Sequence, residues 1–250
     1  FYLDSTPTHS LMKYLYKYPQ AAFPYADLVE TNRRRGRNEM EYELIDTGAF
    51  DQDRYFDVFV EYAKESPDDL LIQITVWNRG PEPAELHVLP TLWFRNLWSW
   101  HGVTERPGLC QADGTPKWRV VKAVDPRLGE RYLVCEGDVP LLFTENETNT
   151  QRIFGVPNRT PYVKDSINDY VVHGQTAAVN PEKKGTKVAA HYRLTLNSGE
   201  CRTVRLRLSD VAPGALTAAN GKDPLGGHFE EVLDARRKEA DEFYAGVIPP

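Results

Sequence analysis

Much of this sequence is informative by what it does not contain. Three cysteines, Cys110, Cys135 and Cys201, form an odd set without Cys-x-x-Cys spacing. They indicate neither a disulfide framework nor a zinc knuckle, and a cytoplasmic, reducing setting is the expectation. No apolar run approaches the roughly 18 residues of a membrane span, and no charged-then-apolar leader opens the chain, so no membrane partner is expected. A basic excess is missing as well. The net charge of -6 opposes a surface that tracks phosphates, so no nucleic-acid partner is expected. The one dense basic run, Arg33-Arg34-Arg35-Gly36-Arg37, reads as a solvated helix end with cations at the negative pole of the dipole. No G-x-G-x-x-G or phosphate loop is present, and no nucleophile-elbow glycines surround Ser5 or Ser10. The six histidines are scattered without metal-ligand spacing, so no cofactor and no metal are expected.

What is present is alternation of period two, which puts one set of side chains on a core face and the other set opposite. Over Tyr55 to Tyr62 the apolar set is Phe56, Val58, Val60 and Tyr62, with Asp57 and Glu61 on the other face. Over Leu70 to Trp77 it is Leu70, Ile72, Ile74 and Val76. The turn residues Asn78-Arg79-Gly80-Pro81 then precede Leu86, Val88, Leu92 and Phe94, a hairpin signature. Tyr192 to Leu196 and Val204 to Leu208, joined by Asn197-Ser198-Gly199, form the clearest hairpin pattern. Shorter strands are expected at Glu41 to Ile45, Trp118 to Val124, Glu130 to Cys135 and Val139 to Thr144. Many half-buried strands separated by turn residues predict a mainly β, antiparallel β-sandwich.

Helical periodicity is confined to three places. His9 to Tyr18 and Tyr25 to Arg35 fit short helices, the second with Pro24 at its first turn. In the third, Asp223-Pro224 supplies an N-cap and N1 proline, and Phe229, Val232, Leu233, Ala240, Phe243 and Tyr244 share one stripe that ends near Gly246. The division expected is a β domain over 1–222 and a connector helix over 223–250. An unpartnered stripe on that helix would drive self-association or fold back on the sandwich. The opening Phe1-Tyr2-Leu3-Asp4, without methionine, and the closing Pro249-Pro250 lead to the expectation of a segment of something longer.

Two stretches have the composition of a binding site. Leu92 to His101 carries three of the five tryptophans together with Arg95, Asn96 and His101. Indole rings accept the C–H faces of sugars and polar groups accept their hydroxyls, yet aromatics at a strand end equally serve packing. Tyr162 to Gly174 carries Lys164, Asp165, Asp169 and His173; if helical, it sets Asp165 and Asp169 one turn apart, as a carboxylate pair or as a helix cap. Asp51/Asp53 and Glu145/Glu147 read as solvated turn residues.

The strings FYLDSTPTHSLMKYLYKYPQ, NRRRGRNEMEYELIDTG, NRGPEPAELHVLPTLWFRNLWSW, KDSINDYVVHG and EFYAGVIPP resemble the N-terminal region of bacterial proteins labelled glucosidase, related to glycoside hydrolase family 63. The resemblance runs the whole length. It implies a sandwich of the supersandwich, galactose-mutarotase-like type preceding an (α/α)6 barrel that holds the acid and base carboxylates of an inverting hydrolase. The barrel lies outside this sequence, so no catalytic residue is carried over. The role implied is a non-catalytic domain that packs on the barrel and lends loops to its sugar pocket. Arg95, Asn96, Trp98, Trp100, Lys164, Asp165 and His173 are the candidates for those loops. The partners expected are a glycan substrate, through the parent enzyme, and the intramolecular barrel. The alternatives are a stand-alone carbohydrate-binding module and a mutarotase-like sugar epimerase.

Overall fold

A computed structural model describes residues 1–100, 105–220 and 223–247, the side chains of 217–220 excepted. The architecture is mainly β and antiparallel, as the alternation predicts. The strands are β1 (Tyr2–Ser5), β2 (Leu11–Pro19), β3 (Tyr55–Ser66), β4 (Asp69–Asn78), β5 (Ala84–Val88), β6 (Thr91–Trp93), β7 (Gly108–Thr115), β8 (Trp118–Asp125), β9 (Gly129–Glu136), β10 (Leu141–Thr144), β11 (Lys184–Gly185), β12 (Lys187–Ala190), β13 (Tyr192–Leu196) and β14 (Cys201–Ser209). The helices are α1 (Tyr25–Arg34), α2 (Thr150–Phe154), α3 (Ser166–His173), α4 (Pro213–Asn220) and α5 (Gly227–Val247). Nine strands order as β1-β2-β3-β4-β14-β9-β8-β7-β11, three as β10-β12-β6, and β13 pairs with β5. Two compact units are made, Phe1–Tyr62 with Gln73–Leu86 and Leu194–Val204, and Ala63–Ile72 with His87–Arg193 and Arg205–Pro250.

In the first unit, the face of β3 opposite Phe56 is polar but not solvated. Asp57 and Glu61 are buried. Lys17 Nζ and Arg79 Nε each lie 2.7 Å from Asp57, while Lys13 Nζ and Gln73 Nε2 reach Glu61 at 3.5 and 3.4 Å. Burial alone would push the Asp57 carboxyl up; the hydrogen bonds and charges of Lys17 and Arg79 outweigh it and hold that carboxyl below the usual range. Asn78, fully buried, accepts from Gln20 Nε2 at 2.6 Å and Gly80 N at 2.9 Å and donates to the Glu82 and Leu196 carbonyls. The Asn-Arg-Gly-Pro turn is thus built on one saturated amide.

The second unit is layered. The outer face of the small sheet is covered where Leu142 and Ala189 pack with Ile167 and Val179, flanked by Tyr170 and Val171. On the inner side an apolar cavity of about 190 Å³ is lined by Leu92 and Phe94 together with Ala123 and Leu208 of the large sheet. Helix α5 lies in this unit with Phe229, Val232, Leu233 and Ala240 buried, so most of the expected stripe folds back on its own unit. Phe243 stays exposed. Buried Arg207 grips buried Asp69 in a fork, Nε–Oδ1 2.8 Å and Nη2–Oδ2 2.6 Å, and its Nη1 donates to the Pro224 carbonyl ahead of α5 at 3.1 Å.

Several sequence expectations are corrected. His9 to Tyr18 is not a helix: Leu11–Pro19 is β2, paired with β1 through Tyr2↔Tyr14. Its Tyr-rich alternation suits a pleated surface, and Tyr14 stacks edge-on against Tyr2 and Tyr62. Glu41 to Ile45 is not a strand. A 3-10 turn over Leu44–Thr47 is closed by a capping box between Glu43 and Asp46. The two hairpins are absent, since β5 pairs with β13, and β14 lies between β4 and β9; tight turns carry the chain from one sheet to the other. Finally, Asp223 and Pro224 precede the helix. Asp223 folds a turn by accepting from Leu225 N at 3.0 Å, and α5 starts at Gly227. Arg33 and Arg34 do close α1 as an exposed basic end, with Arg35 as its C-cap.

Candidate functional site

The aromatic stretch after β6 becomes a loop over residues 94–100 in the second unit; His101 lies outside the described residues. The loop cannot pair as a strand, so its backbone groups need other partners, and two asparagines supply them reciprocally. Asn96 Nδ2 donates to the Asn146 carbonyl at 3.0 Å and Asn146 Nδ2 to the Phe94 carbonyl at 2.9 Å. Asn96 Oδ1 accepts from Ser99 N at 3.0 Å. Phe94 N donates to the Thr186 carbonyl at 3.0 Å.

This frame fixes Trp98. Its indole Nε1 donates to Glu147 Oε1 at 2.8 Å, and the Arg106 guanidinium stands 5.3 Å from the ring centroid. Arg106 pairs with Glu145 and, at 3.4 Å, with Glu147. Glu145 also accepts from Thr186 Oγ1 at 2.6 Å. Glu147 is therefore buried rather than solvated, which corrects the expectation for that pair. With one oxygen of each engaged, Glu145 Oε2 by Arg106 and Thr186 and Glu147 Oε1 by Arg106 and Trp98, these carboxylates act as a clamp. An inverting acid–base pair flanks a scissile bond about 6.5–9.5 Å apart with room for water between, and a guanidinium bridging both carboxylates is a different arrangement.

Two clefts flank the clamp. One, of about 710 Å³, is lined by Phe94, Arg95, Trp98, Asp125, Arg127 and Leu128 among others. The other, of about 540 Å³, is lined by Asn96, Trp100, Asn146, Glu147, Arg159 and Lys164 among others. Both fall in the size range of small-molecule sites. Of the seven candidates, Arg95 and Trp98 line the first cleft, and Asn96, Trp100 and Lys164 the second. Asp165, next to Lys164, is the N-cap residue of α3. Its Oδ2 takes Arg152 at 3.1 Å and Asn149 at 3.3 Å. His173 is exposed in the last turn of α3 and lines neither cleft.

Sequence reasoning did not find Arg106, Asn146, Thr186 or the clamp role of Glu147. It also did not find His87 and His191, whose Nδ1 and Nε2 lie 2.7 Å apart with the rings stacked and Tyr170 edge-on. Burial first, then the neighbouring His87 and Arg193, hold the His191 imidazole below the usual histidine range. Separations of about 40 residues for Glu145–Thr186 and about 100 for the histidine pair leave no local signal.

No family model matches the chain. The chain is similar to the uncharacterised protein YMR196W of Saccharomyces cerevisiae, 35% identical over 284 residues, which takes in 100% of this chain and 26% of that protein. It thus spans about a quarter of the length of this relative. Among solved structures it is similar to a polysaccharide lyase, with 12% identity, a TM-score of 0.39, 83% of this chain covered and 22% of that one. A protein described as a kojibiose phosphorylase from the human microbiome gives 10%, 0.38, 76% and 22%. Among the described residues no helix is long and apolar enough to cross a membrane.

Proposed function

We propose that this chain is a non-catalytic β domain of a longer glycosidase related to glycoside hydrolase family 63, packed on an (α/α)6 barrel with α5 as its connector. In this reading the 94–100 loop and the Lys164–Asp165 segment line the rim of the barrel's sugar pocket. The observation that carries it is the clamped indole of Trp98, fixed at its edge by Glu147 and on its face by Arg106 between two clefts of sugar size. A rigid aromatic surface beside Asn, Arg and carboxylate groups is what pyranose C–H faces and hydroxyls require. The string resemblance supports the enzyme class, and a relative about four times as long leaves room for a catalytic domain. A cytoplasmic site of action belongs to the same proposal.

The test is turnover of α-glucosides by the full-length protein carrying Trp98→Ala and Trp100→Ala. A fall in kcat/KM of about tenfold or more is expected, the loss of one to two kcal/mol of aromatic contact. Unchanged turnover would remove the rim role. The clefts consist wholly of residues of the second unit, which favours one other reading, an autonomous carbohydrate-binding module. Measurable affinity of the 250-residue chain alone for α-gluco-oligosaccharides would support it, and flat calorimetry would count against it.

A further inference from the structure

The outer face of the small sheet is covered by α3 only in part. Leu142 and Ala189 lie under the helix. Two residues along each strand, the same face carries Thr144 and Lys187, neighbours in the β10–β12 register, with Trp93 opposite Lys187 on β6. That end is open, as a cleft of about 520 Å³ lined by Thr91, Trp93, Asn146, Lys164 and Lys187.

Its two charged lining residues are both lysines. Lys187 Nζ donates to the Lys164 carbonyl at 2.9 Å. Neither lysine forms an ion pair with a described residue, and neither does Arg159, which shares the adjoining cleft with Lys164. Asp165, the carboxylate nearest in sequence to Lys164, is engaged by Arg152. Burial first, then the charge of Lys164, hold the Lys187 ammonium below the usual lysine range against the opposing charge of Asp165. Elsewhere Lys13, Lys17, Lys122 and Lys184 have carboxylate partners while Lys117 and Lys183 form no ion pair with a described residue, and the whole chain carries a net -6. Three cations without a direct ion pair to a described residue, gathered in such a chain, mark a place for an external anion. One further feature points to a ligand: Trp93, 54% exposed, lies beside Lys187.

We propose that this cleft binds an acidic saccharide, its anionic group received by Lys164 and Lys187 and its pyranose ring laid on Trp93. The pyranose rests on the carbohydrate reading above; the charge goes beyond it. The anion is a carboxylate or a phosphate, chemistry that the same two ammonium groups serve.

Calorimetric titration of the full-length protein separates the possibilities, using a glucuronate oligosaccharide, glucose 6-phosphate, a neutral maltooligosaccharide, inorganic phosphate and a single-stranded oligonucleotide. At least one acidic saccharide is expected to bind about tenfold or more tightly than the neutral one, the scale of a hydrogen bond to a charged group. Added salt weakens that binding. Lys164→Gln, at an exposed position, abolishes the preference while Lys164→Arg retains it, and Trp93→Leu weakens saccharide binding without changing that of inorganic phosphate. Equal affinity for acidic and neutral saccharides, or an unchanged preference in Lys164→Gln, overturns the acidic ligand and leaves the carbohydrate reading standing. Inorganic phosphate bound as tightly as any saccharide, or the oligonucleotide bound more tightly, overturns the saccharide. No saccharide binding at all removes both readings.

Discussion

Arg207 and Asp69 show how much depends on individual side chains. A guanidinium and a carboxylate that are both buried are tolerable only because the fork satisfies each with the other and with the Pro224 carbonyl. Asp69→Ala strands the cation, and we expect a loss of about 3–5 kcal/mol in urea unfolding. A change under about 1 kcal/mol would show the pair to be solvated, as surface pairs are. His191 acts in the opposite sense. Because burial and its neighbours lower the His191 pKa in the fold, the unfolded chain binds more protons once the pH drops below about 6.5, the ordinary histidine value. The stability contributed by the neutral ring is thus complete above that pH. It declines as the pH falls from about 6.5 toward the lower folded value. Urea midpoints measured from pH 7.5 to pH 5 should fall across that window, and His191→Asn should flatten the decline. A slope unaltered by that variant would assign the titration elsewhere.

Among the elements, α5 behaves as part of a core. Phe229 and Leu233 are fully buried in the second unit, and Arg205 covers Phe229 while pairing with Glu230. Phe229→Ala should cost about 3–5 kcal/mol, whereas Phe243→Ala, at an exposed position, should stay within about 0.5 kcal/mol. Similar losses for both would mean that the distal helix is also packed. The strands read from sequence were β3, β4, β5, β13 and β14, where period two is strong, and, from the shorter expected segments, β8, β9 and β10. Alternation says which residues share a face and is silent about which strand lies alongside, so Tyr192 to Leu208 looked like one hairpin though its halves enter different sheets. β2 was misread because aromatic and cationic residues interleave there, and the anchors that decide the matter, Asp57 and Tyr62, are distant in sequence. β7, Gly-Leu-Cys-Gln-Ala-Asp-Gly-Thr, has too little apolar pattern to register at all. In the site, the tryptophans and Lys164 were visible as composition. Arg106, Glu145, Glu147 and Thr186, which fix the indole, come together only in the fold.

For the molecule as a whole, the two clefts, the Trp98 clamp and the lysine-lined end of the small sheet all belong to the second unit. The first unit holds its own polar face together through Asp57, Glu61 and their cations. The division of labour we infer has catalysis outside this chain and saccharide contact on the second unit. Hydrogen–deuterium exchange on the full-length protein, with and without a saturating maltooligosaccharide or isomaltooligosaccharide, tests that claim most directly, because it reads contact without requiring turnover. The account predicts added protection in the peptides spanning residues 92–100 and 145–164, reduced by Trp98→Ala. Protection elsewhere in the protein with those two segments unchanged would contradict it.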